Sequence, residues 1–178
     1  MILPLDFQLV TARCRLRMPA PADIPHVFSA TRYAGFNDGM RWDPPASEED
    51  LRAPLERSLE GWKTGRDFAF SIERKEDSIF LGRIDIRSSP NPAVWNIGFW
   101  LHPAQQGNGY MTEAGQAIVD FGFARLGAET IEACHATWNG RSRRVLERLG
   151  MTEVGFVSEG FKKRGEWVPE YRMRIEKK

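Results

Sequence analysis

A glycine-rich loop between a strand and a helix constrains the fold of this chain more than any other feature. Residues 94–101 are rich in aromatic and β-branched side chains and predict a strand, which Pro103 ends because proline has no N–H for the ladder. A helix is predicted over about 109–125, with Gly127 as its C-terminal cap. Its apolar face is defined by residues at spacings of three and four: Ala114, Ala117, Ile118 and Phe121.

The position of this loop suits it to bind a phosphate. The first turn of a helix has unpaired N–H groups and a partial positive charge, and Gly107 and Gly109 let the backbone approach a ligand closely. The next residues, 110–112, lack the third glycine of the Rossmann pattern and the lysine of the Walker pattern. The loop therefore predicts a different phosphate ligand. The alternative is an ordinary strand-to-helix turn that binds nothing.

A second segment, 138–151, shows the same order of elements. It follows an apolar run at 130–137 and predicts a turn, a short helix at about 140–149 and a stop at Gly150. The first motif reads Gln106-Gly107-Asn108-Gly109-Tyr110-Met111-Thr112-Glu113-Ala114, and the second reads Asn139-x-x-Ser142-x-x-Val145-Leu146-Glu147-x-Leu149-Gly150-Met151.

Together these motifs resemble those of the GNAT superfamily of acyl-CoA-dependent N-acetyltransferases. The most similar branch is the Rim type, which acetylates ribosomal-protein N-termini and includes many small-molecule acetyltransferases. Segments 11–17, 81–86 and 96–101 are similar to the first, third and fourth strands of that branch. The resemblance implies acetyl-CoA as co-substrate, a direct attack in a ternary complex, and a sheet whose fourth and fifth strands splay apart to admit the cofactor.

The predicted elements follow a mixed order, which indicates a single α+β (mixed α/β) domain over residues 1–178 with a mostly antiparallel, twisted sheet. About seven strands are predicted, at about 10–17, 67–74, 79–87, 94–101, 129–137, 153–161 and 167–175. About four helices are predicted, at about 21–32, 47–63, 109–125 and 140–149. Pro54 is expected to restart or kink the second helix.

Composition narrows the choice of partners. The net charge of +1 gives no basic excess, so we expect neither a nucleic acid nor a membrane surface as partner. No apolar stretch approaches a membrane span, and the N-terminus has no basic region, so we expect a cytoplasmic protein. Cys14 and Cys134 are far apart and are expected to be reduced. The histidines show no metal-ligand spacing, so no metal is expected. The sequence is also compatible with a homodimer.

Acyl transfer from a thioester to an amine needs a neutral amine, a stabilised oxyanion and a proton for the leaving thiolate. The resemblance offers a backbone N–H near Trp100 or Leu101 for the oxyanion, and Ser142 as the acid for the thiolate. The alternative for Ser142 is a helix-capping or cofactor-contacting role. Tyr171 is a second candidate acid, although an aromatic residue on an alternating apolar face is usually part of the core.

The base is less evident. Rim-type sequences often carry a glutamate where this chain has Asn96, which cannot accept a proton at neutral pH. Asp85 is the first alternative, because a lone carboxylate between Ile84 and Ile86 invites a functional explanation. A solvated strand face is the competing interpretation. Glu73 and Asp38 are weaker candidates, and a chain of waters would also serve.

The cofactor site implied by the resemblance comprises Trp100, Leu101, His102, Gln106, Gly107, Asn108, Gly109, Tyr110, Met111, Thr112, Asn139, Ser142 and Arg143. Arg141, Arg143 and Arg144 are candidates to contact the 3′-phosphate of the adenosine, and solvated helix charges explain them equally well. Asn139 either contacts the pantetheine arm, caps the helix, or does both.

The acceptor site is expected between the loop at 33–45 and the last hairpin. Its candidate residues are Phe36, Asp38, Trp42 and Trp167. Trp42 with Asp38 and Asp43 would form an aromatic and acidic pocket for a cationic amine. The alternative is a surface loop held by one buried tryptophan. A CoA-binding module without catalysis is the second functional class, because Asn96 replaces the glutamate.

Overall fold

The computed structural model describes residues 2–178 as helices packed on an eight-stranded sheet. The strands are β1 (Gln8–Val10), β2 (Cys14–Arg17), β3 (Asp67–Arg74), β4 (Phe80–Ser88), β5 (Val94–Leu101), β6 (Thr130–Ala136), β7 (Thr152–Lys163) and β8 (Glu166–Glu176). The α-helices are α1 (Ile24–Thr31), α2 (Arg52–Thr64), α3 (Tyr110–Arg125) and α4 (Gly140–Arg148). Four short 3₁₀ turns lie at Pro21–Asp23, Phe36–Gly39, Glu49–Leu51 and Pro103–Gln105.

The sheet order is β1-β2-β3-β4-β5-β6-β8-β7, and every neighbouring pair is antiparallel except β5 and β6. The parallel pair is short, because only Val94–Asn96 pairs with Thr130–Glu132. From residue 97 onward the two strands part. This confirms the mixed fold, the mostly antiparallel sheet and the splayed pair. We call the space between them the splay gap.

The predicted strand at 10–17 is wrong in one respect, because it is a hairpin rather than one strand. Val10 pairs with Arg15 across the turn, and the Thr11 N–H donates to the Cys14 carbonyl at 2.9 Å. The sheet therefore has eight strands instead of about seven. The other strands and the four α-helices lie close to their predicted positions. Pro54 is accommodated in the first turn of α2, where its missing N–H costs no helical hydrogen bond.

The two faces of the sheet differ in character. On one face, the rings of Phe68 and Phe70 lie 6.1 and 6.2 Å from that of Phe121 in α3. On the other face, Ser71 donates to Asp23, the residue before α1, at 2.6 Å. Successive side chains of a strand point to opposite faces. The α3 face is therefore apolar. The opposite side, the α1 face, carries polar side chains of β3 and β4: Ser71, Glu73, Arg83, Asp85 and Arg87.

Candidate active site

The backbone of β5 beyond residue 96 supplies hydrogen-bonding groups to the splay gap. The Ala93 carbonyl accepts from Thr130 N at 3.0 Å on the β6 side, whereas the Val94 carbonyl accepts from Ser89 N at 3.1 Å on the β4 side. Because this direction alternates along a strand, the odd-numbered residues of β5 direct their N–H and C=O groups toward the gap. Ile97, Phe99 and Leu101 are these residues.

This alternation distinguishes the two candidates for the oxyanion contact. The Trp100 carbonyl lies against Gly82 of β4, so the N–H of Trp100 also points to the β4 side. The prediction that the Trp100 N–H contacts the oxyanion in the gap is therefore wrong. The N–H of Leu101 stays a candidate. Phe99 is a further candidate that the motif-based reasoning missed. The alternation of strand hydrogen bonds was the signal that could have identified it.

The glycine-rich loop takes the backbone conformation that its sequence predicts. Gly107 and Gly109 have φ values of +88° and +77°, in the left-handed region that favours glycine. Gly109 is the residue before α3. The first hydrogen bond of the helix is donated by the Glu113 N–H to the Gly109 carbonyl at 3.2 Å. The N–H groups of residues 110–112 therefore have no helical partner and stay available to a ligand.

Gln106 links this loop to both sides of the splay gap. Its Nε2 donates to the Leu101 carbonyl at 3.3 Å, and its Oε1 accepts from Arg141 Nη1 at 2.9 Å. Leu101 ends β5, and Arg141 lies in the first turn of α4. The structure thus brings together the loop, the end of β5 and the start of α4, as the sequence motifs predict.

A cluster that sequence reasoning missed holds the loop against the β1–β2 turn. The Glu113 carboxylate accepts from Thr11 Oγ1 at 2.6 Å, Arg13 N at 2.6 Å and Arg13 Nε at 2.7 Å. Arg13 Nη1 also donates to the Asn108 carbonyl at 3.0 Å. Burial raises the pKa of Glu113, but the hydrogen bonds from Thr11 and Arg13 outweigh it, and the pKa is lowered. The carboxylate therefore stays charged and fixes the loop. An acid in the first turn of a helix was the only local signal.

The start of α4 shows the capping role considered for its motif, while the contact to the pantetheine arm stays a prediction. Asn139 Oδ1 accepts from the Ser142 N–H at 3.1 Å, so Asn139 caps the helix. The Ser142 side chain is half-buried at the third helical position. Because Asn139 already caps the helix, the Ser142 hydroxyl is available for another partner. The 3₁₀ turn of the acceptor loop approaches this site, since a Cβ on Gly39 would lie 3.1 Å from Asn139 Nδ2.

The basic residues of α4 differ in their contacts. Arg143 forms ion pairs with Glu147 at 2.8 Å and with Glu153 at 3.3 Å, and the hydrogen bond to Glu147 raises the pKa of Arg143. Its charge is therefore already neutralised, which weakens its assignment to a phosphate. Arg141 contacts Gln106, and Arg144 is exposed on the same helix.

Tyr171 lies on the α3 face. Its ring centroid is 5.8 Å from that of His135 and 5.8 Å from that of Phe156, and it is half-buried. The Arg143 guanidinium lies 5.9 Å from the ring. Tyr171 is thus on the same side of the sheet as α4. His102, also predicted to contact the cofactor, instead accepts from Ala104 N at 3.2 Å through Nδ1 and lies 3.3 Å from Ser29 Oγ through Nε2.

Asp85 occupies the α1 face beside the splayed strand. Its partner across β4 and β5 is Gly98, so no side chain separates the carboxylate from the gap-facing edge of β5. Asp85 Oδ2 lies 2.9 Å from Arg87 Nε. Burial raises the pKa of Asp85 to about 7, against the opposing effect of Arg87. The Asp85 side chain is 28% exposed, so the functional carboxylate and the partly solvated strand face both stay predictions. The weaker candidate Glu73 is fixed by Arg17 at 2.6 Å.

The acceptor loop, residues 33–45, contacts the last hairpin, β7 and β8, through ion pairs rather than through tryptophan side chains. Lys163 Nζ donates to the carbonyls of Met40 at 3.3 Å and Trp42 at 2.8 Å, and pairs with Asp43 at 2.8 Å. Arg41 pairs with the buried Glu170 at 2.6 Å. These contacts join segments more than a hundred residues apart, so no local pattern could have shown them.

The aromatic candidates separate into two places. The Phe36 ring lies 6.2 Å from that of Trp42 and 5.4 Å from that of Trp100, so these three line one wall on the α1 face. Trp167 is 47% exposed, and its ring lies 5.0 Å from Lys162 Nζ on its own hairpin. Trp167 lies four residues before Tyr171 on β8 and so shares its α3 face, whereas the wall formed by Phe36 and Trp42 is on the α1 face, which corrects the predicted place of Trp167.

The acidic pocket predicted for a cationic amine is already neutralised by protein cations. Asp43 pairs with Lys163, which lowers the pKa of Asp43, and Asp38 lies 3.4 Å from Arg164. Among residues 2–178, no group of three or more metal-ligating side chains occurs. In the same part of the chain, no helix is both long and apolar enough to cross a membrane.

Comparison with known proteins identifies the family. A family model described as an acetyltransferase (GNAT) domain matches residues 13–152. An uncharacterized N-acetyltransferase of Bacillus subtilis, YnaD, is 28% identical over 145 residues, which cover 80% of this chain and 83% of the relative. The family match ends where β7 begins, so the last hairpin lies outside it.

Two solved structures share the fold. RimL, a ribosomal L7/L12 α-N-protein acetyltransferase solved with coenzyme A, has a TM-score of 0.85 and 18% identity, covering 94% of this chain and 96% of its own. A spermidine N-acetyltransferase from Vibrio cholerae, solved with CoA and spermine, has a TM-score of 0.79 and 18% identity, covering 93% of this chain and 96% of its own. The chain therefore belongs to the GNAT acetyltransferase family and is an N-acetyltransferase that uses acetyl-CoA as its co-substrate.

Proposed function

We propose that this enzyme acetylates a primary amine by direct attack in a ternary complex, with acetyl-CoA in the splay gap and the amine on the α1 face. The observation that carries this proposal is the position of Asp85, a half-buried carboxylate separated from the gap only by the backbone of Gly98. The glycine-rich loop lies where β5 ends, because its residue Gln106 donates to the Leu101 carbonyl.

In this proposal the cofactor is bound by backbone groups. The free N–H groups of Tyr110, Met111 and Thr112 bind the pyrophosphate, because a helix N-terminus favours negative charge. The pantetheine arm lies along the gap-facing groups of β5 as an added strand would, hydrogen bonding to Ile97 and Phe99. Arg141 and Arg144 are placed near the adenosine end, whereas Arg143 is engaged by its own acids.

The chemical step follows from the same placement. The Asp85 carboxylate takes a proton from the acceptor ammonium, and the neutral nitrogen attacks the thioester carbon. The N–H of Leu101 or Phe99 stabilises the tetrahedral oxyanion. As the C–S bond breaks, the Ser142 hydroxyl donates its proton to the leaving thiolate. The attacking nitrogen then loses its second proton, which returns to Ser142 through solvent. Asp85 then releases its proton to solvent, and the products are the acetylated amine and CoA.

The acceptor wall consists of Phe36, Trp42 and Trp100 on the α1 face. We also propose a cytoplasmic location, since Cys14 and Cys134 are both free thiols and suit a reducing compartment. The homodimer stays a prediction that analytical ultracentrifugation would check.

Mass spectrometry of amines incubated with acetyl-CoA tests the proposed function. We expect a product about 42 Da heavier than the amine, because one acetyl group replaces one hydrogen. This product should form only when both enzyme and acetyl-CoA are present. In parallel, calorimetry should show binding of CoA and acetyl-CoA and no binding of ATP or NAD. Binding of ATP without either CoA species would overturn the assignment of the loop.

A further inference from the structure

Arg83 is a cation on the α1 face that forms no ion pair with the described residues, 2–178. Three charged residues alternate along β4 on this face, and two of them, Asp85 and Arg87, pair with each other at 2.9 Å. Arg83 Nε is buried and has no hydrogen-bond partner among residues 2–178. Burial lowers the pKa of Arg83, which reflects the cost of holding its charge away from water. The side chain as a whole is half-buried, and holding its charge there without an anion is unfavourable, so the site suits an anionic partner from outside the protein.

Asp23 is the acidic residue whose charge acts on Arg83, and its carboxylate is already hydrogen bonded to other groups. Asp23 attracts Arg83 through space, but its carboxylate accepts from Arg17 at 2.6 and 3.0 Å and from Ser71 Oγ at 2.6 Å. The Ala20 N–H adds a fourth hydrogen bond at 2.9 Å. Three of these donors bond to Oδ2 and one, from Arg17, to Oδ1, whereas Arg83 Nε has no hydrogen-bond partner among residues 2–178. Asp23 therefore serves Arg17 and the turn before α1, and does not neutralise Arg83.

Arg83 lies beside the proposed acceptor wall. It pairs across the sheet with Trp100, whose ring is 5.4 Å from that of Phe36 and 5.9 Å from that of Phe80. Asp85 follows two residues later on the same face, about 7 Å along the strand. One small molecule is long enough to reach both side chains.

The other charges near this wall are paired. Asp43 binds Lys163, Asp38 lies against Arg164, and Glu170 binds Arg41. A cationic acceptor would compete with these lysines and arginines for the acids. An anionic group of the acceptor would instead meet Arg83, a charge with no competitor. The electrostatics of the wall thus favour an acceptor that carries an acid beside its amine.

We propose that Arg83 binds an oxyanion group of the acceptor while Asp85 receives the proton of its amine, so that the substrate is a small amine bearing a carboxylate or a phosphate. This inference rests on the proposed function. Arginine suits the role because its planar fork donates two parallel hydrogen bonds to a carboxylate or phosphate. Arg83 is then a specificity-determining residue and takes no part in proton transfer.

Matched pairs of acceptors test the assignment directly. The standard L-amino acids are compared as free acids and as amides, and phosphoethanolamine is compared with ethanolamine, each with acetyl-CoA. We expect the acidic member of at least one pair to have a kcat/KM about 10- to 100-fold higher, the range for hydrogen bonds between charged groups. Which pair responds distinguishes carboxylate from phosphate recognition.

Two substitutions assign this preference to Arg83. Arg83→Met should abolish the preference for the acidic member of the pair, and Arg83→Lys should retain part of it as a point charge. Arg57→Met removes an exposed arginine of α2 and is the matched control. If Arg83→Met keeps the full preference, or if the enzyme prefers spermidine and the uncharged members, the inference is wrong and acetyl transfer still stands.

A binding measurement separates this inference from the proposed function. Calorimetry of the CoA-bound protein with N-acetylated amino acids, as acids and as amides, reports recognition without turnover. If the acids bind through Arg83 but no amine is acetylated, the role of Arg83 holds and the proposed function fails. If amines are acetylated but the acids and amides bind equally, the role of Arg83 is excluded.

Discussion

Asp85 and Gly98 face each other across β4 and β5, and a Cβ on residue 98 would lie 3.0 Å from Asp85 Oδ1 and 3.2 Å from the Arg87 guanidinium. Such contacts are tighter than ordinary van der Waals distances, so any side chain at this position would displace the carboxylate or its ion pair. The glycine thus leaves room for a half-buried acid beside the splay gap. It also leaves the path from that acid to the gap open.

Gly98→Ala should therefore lower kcat, because the methyl group moves the Asp85 carboxylate away from the amine. We expect a loss of about 10-fold, with the Kd for acetyl-CoA changed less than about twofold, since a misplaced base affects only the chemical step. Gly155→Ala on β7 is the control, because no atom lies within 4 Å of the added Cβ. Equal kcat values for both variants and the wild type would show that the position of Asp85 is irrelevant.

Gly109→Val should weaken acetyl-CoA binding. The substitution places a branched side chain where the pyrophosphate approaches α3, and it strains a backbone with φ of +77°. Calorimetry should show a Kd raised by at least about 10-fold.

Gly165→Val separates ligand contact from strain. Its φ of +85° gives it the same backbone penalty, but it lies in the turn of the last hairpin, away from the loop. If both variants bind acetyl-CoA equally well, the loop does not contact the cofactor.

Ser142→Ala should reduce kcat by about 10²-fold if the hydroxyl protonates the leaving thiolate, with little change in the Kd for acetyl-CoA. The helix should stay intact, because its cap is the Asn139 side chain and the Ser142 N–H, which the substitution preserves. Asn139→Ala is the contrasting variant, and loss of this cap should cost about 1 kcal/mol of stability. A higher Kd with an unchanged kcat would assign Ser142 to binding alone.

Trp42→Ala should raise the KM of the acceptor much more than that of acetyl-CoA. The side chain belongs to the wall with Phe36, and its loss removes an acceptor contact of about 0.5–2 kcal/mol. Trp167→Ala is the matched control, because that ring lies on the exposed side of the last hairpin. If the two KM values of Trp42→Ala rise together, or if the variant unfolds, Trp42 is a structural residue.

The sequence predicted the features that depend on local patterns. The strand, glycine loop and helix from Val94 to Arg125 have their predicted order, and Gly127 ends the helix in the left-handed conformation with φ of +72°. The parting of β5 and β6 agrees with the family resemblance. These features follow from hydrophobic periodicity and turn residues, which act over a few positions.

Features that depend on distant contacts were not predictable in this way. The turn between β1 and β2 places Thr11 and Arg13 against Glu113, a contact that spans about a hundred residues. The pairing of Asp43 with Lys163 is of the same kind, and it neutralises the acidic charge that was expected at the acceptor wall. Such ion pairs are set by the topology of the sheet, and one sequence contains no local signal for them.

The pH dependence of kcat for the wild type and for Asp85→Asn tests the central claim most directly. A base with a pKa near 7 makes kcat rise with pH through about 7, and Asp85→Asn should lose this rise and about 10²- to 10³-fold in kcat.

Stability supplies the internal control. The folded protein holds the Asp85 proton up to about pH 7, whereas the unfolded chain releases it near its ordinary pKa of 3.8, so this residue lowers stability as pH rises between the two values. Asp85→Asn should therefore be at least as stable as the wild type at pH 8. A stable Asp85→Asn enzyme with wild-type kcat and an unchanged pH profile would contradict the account.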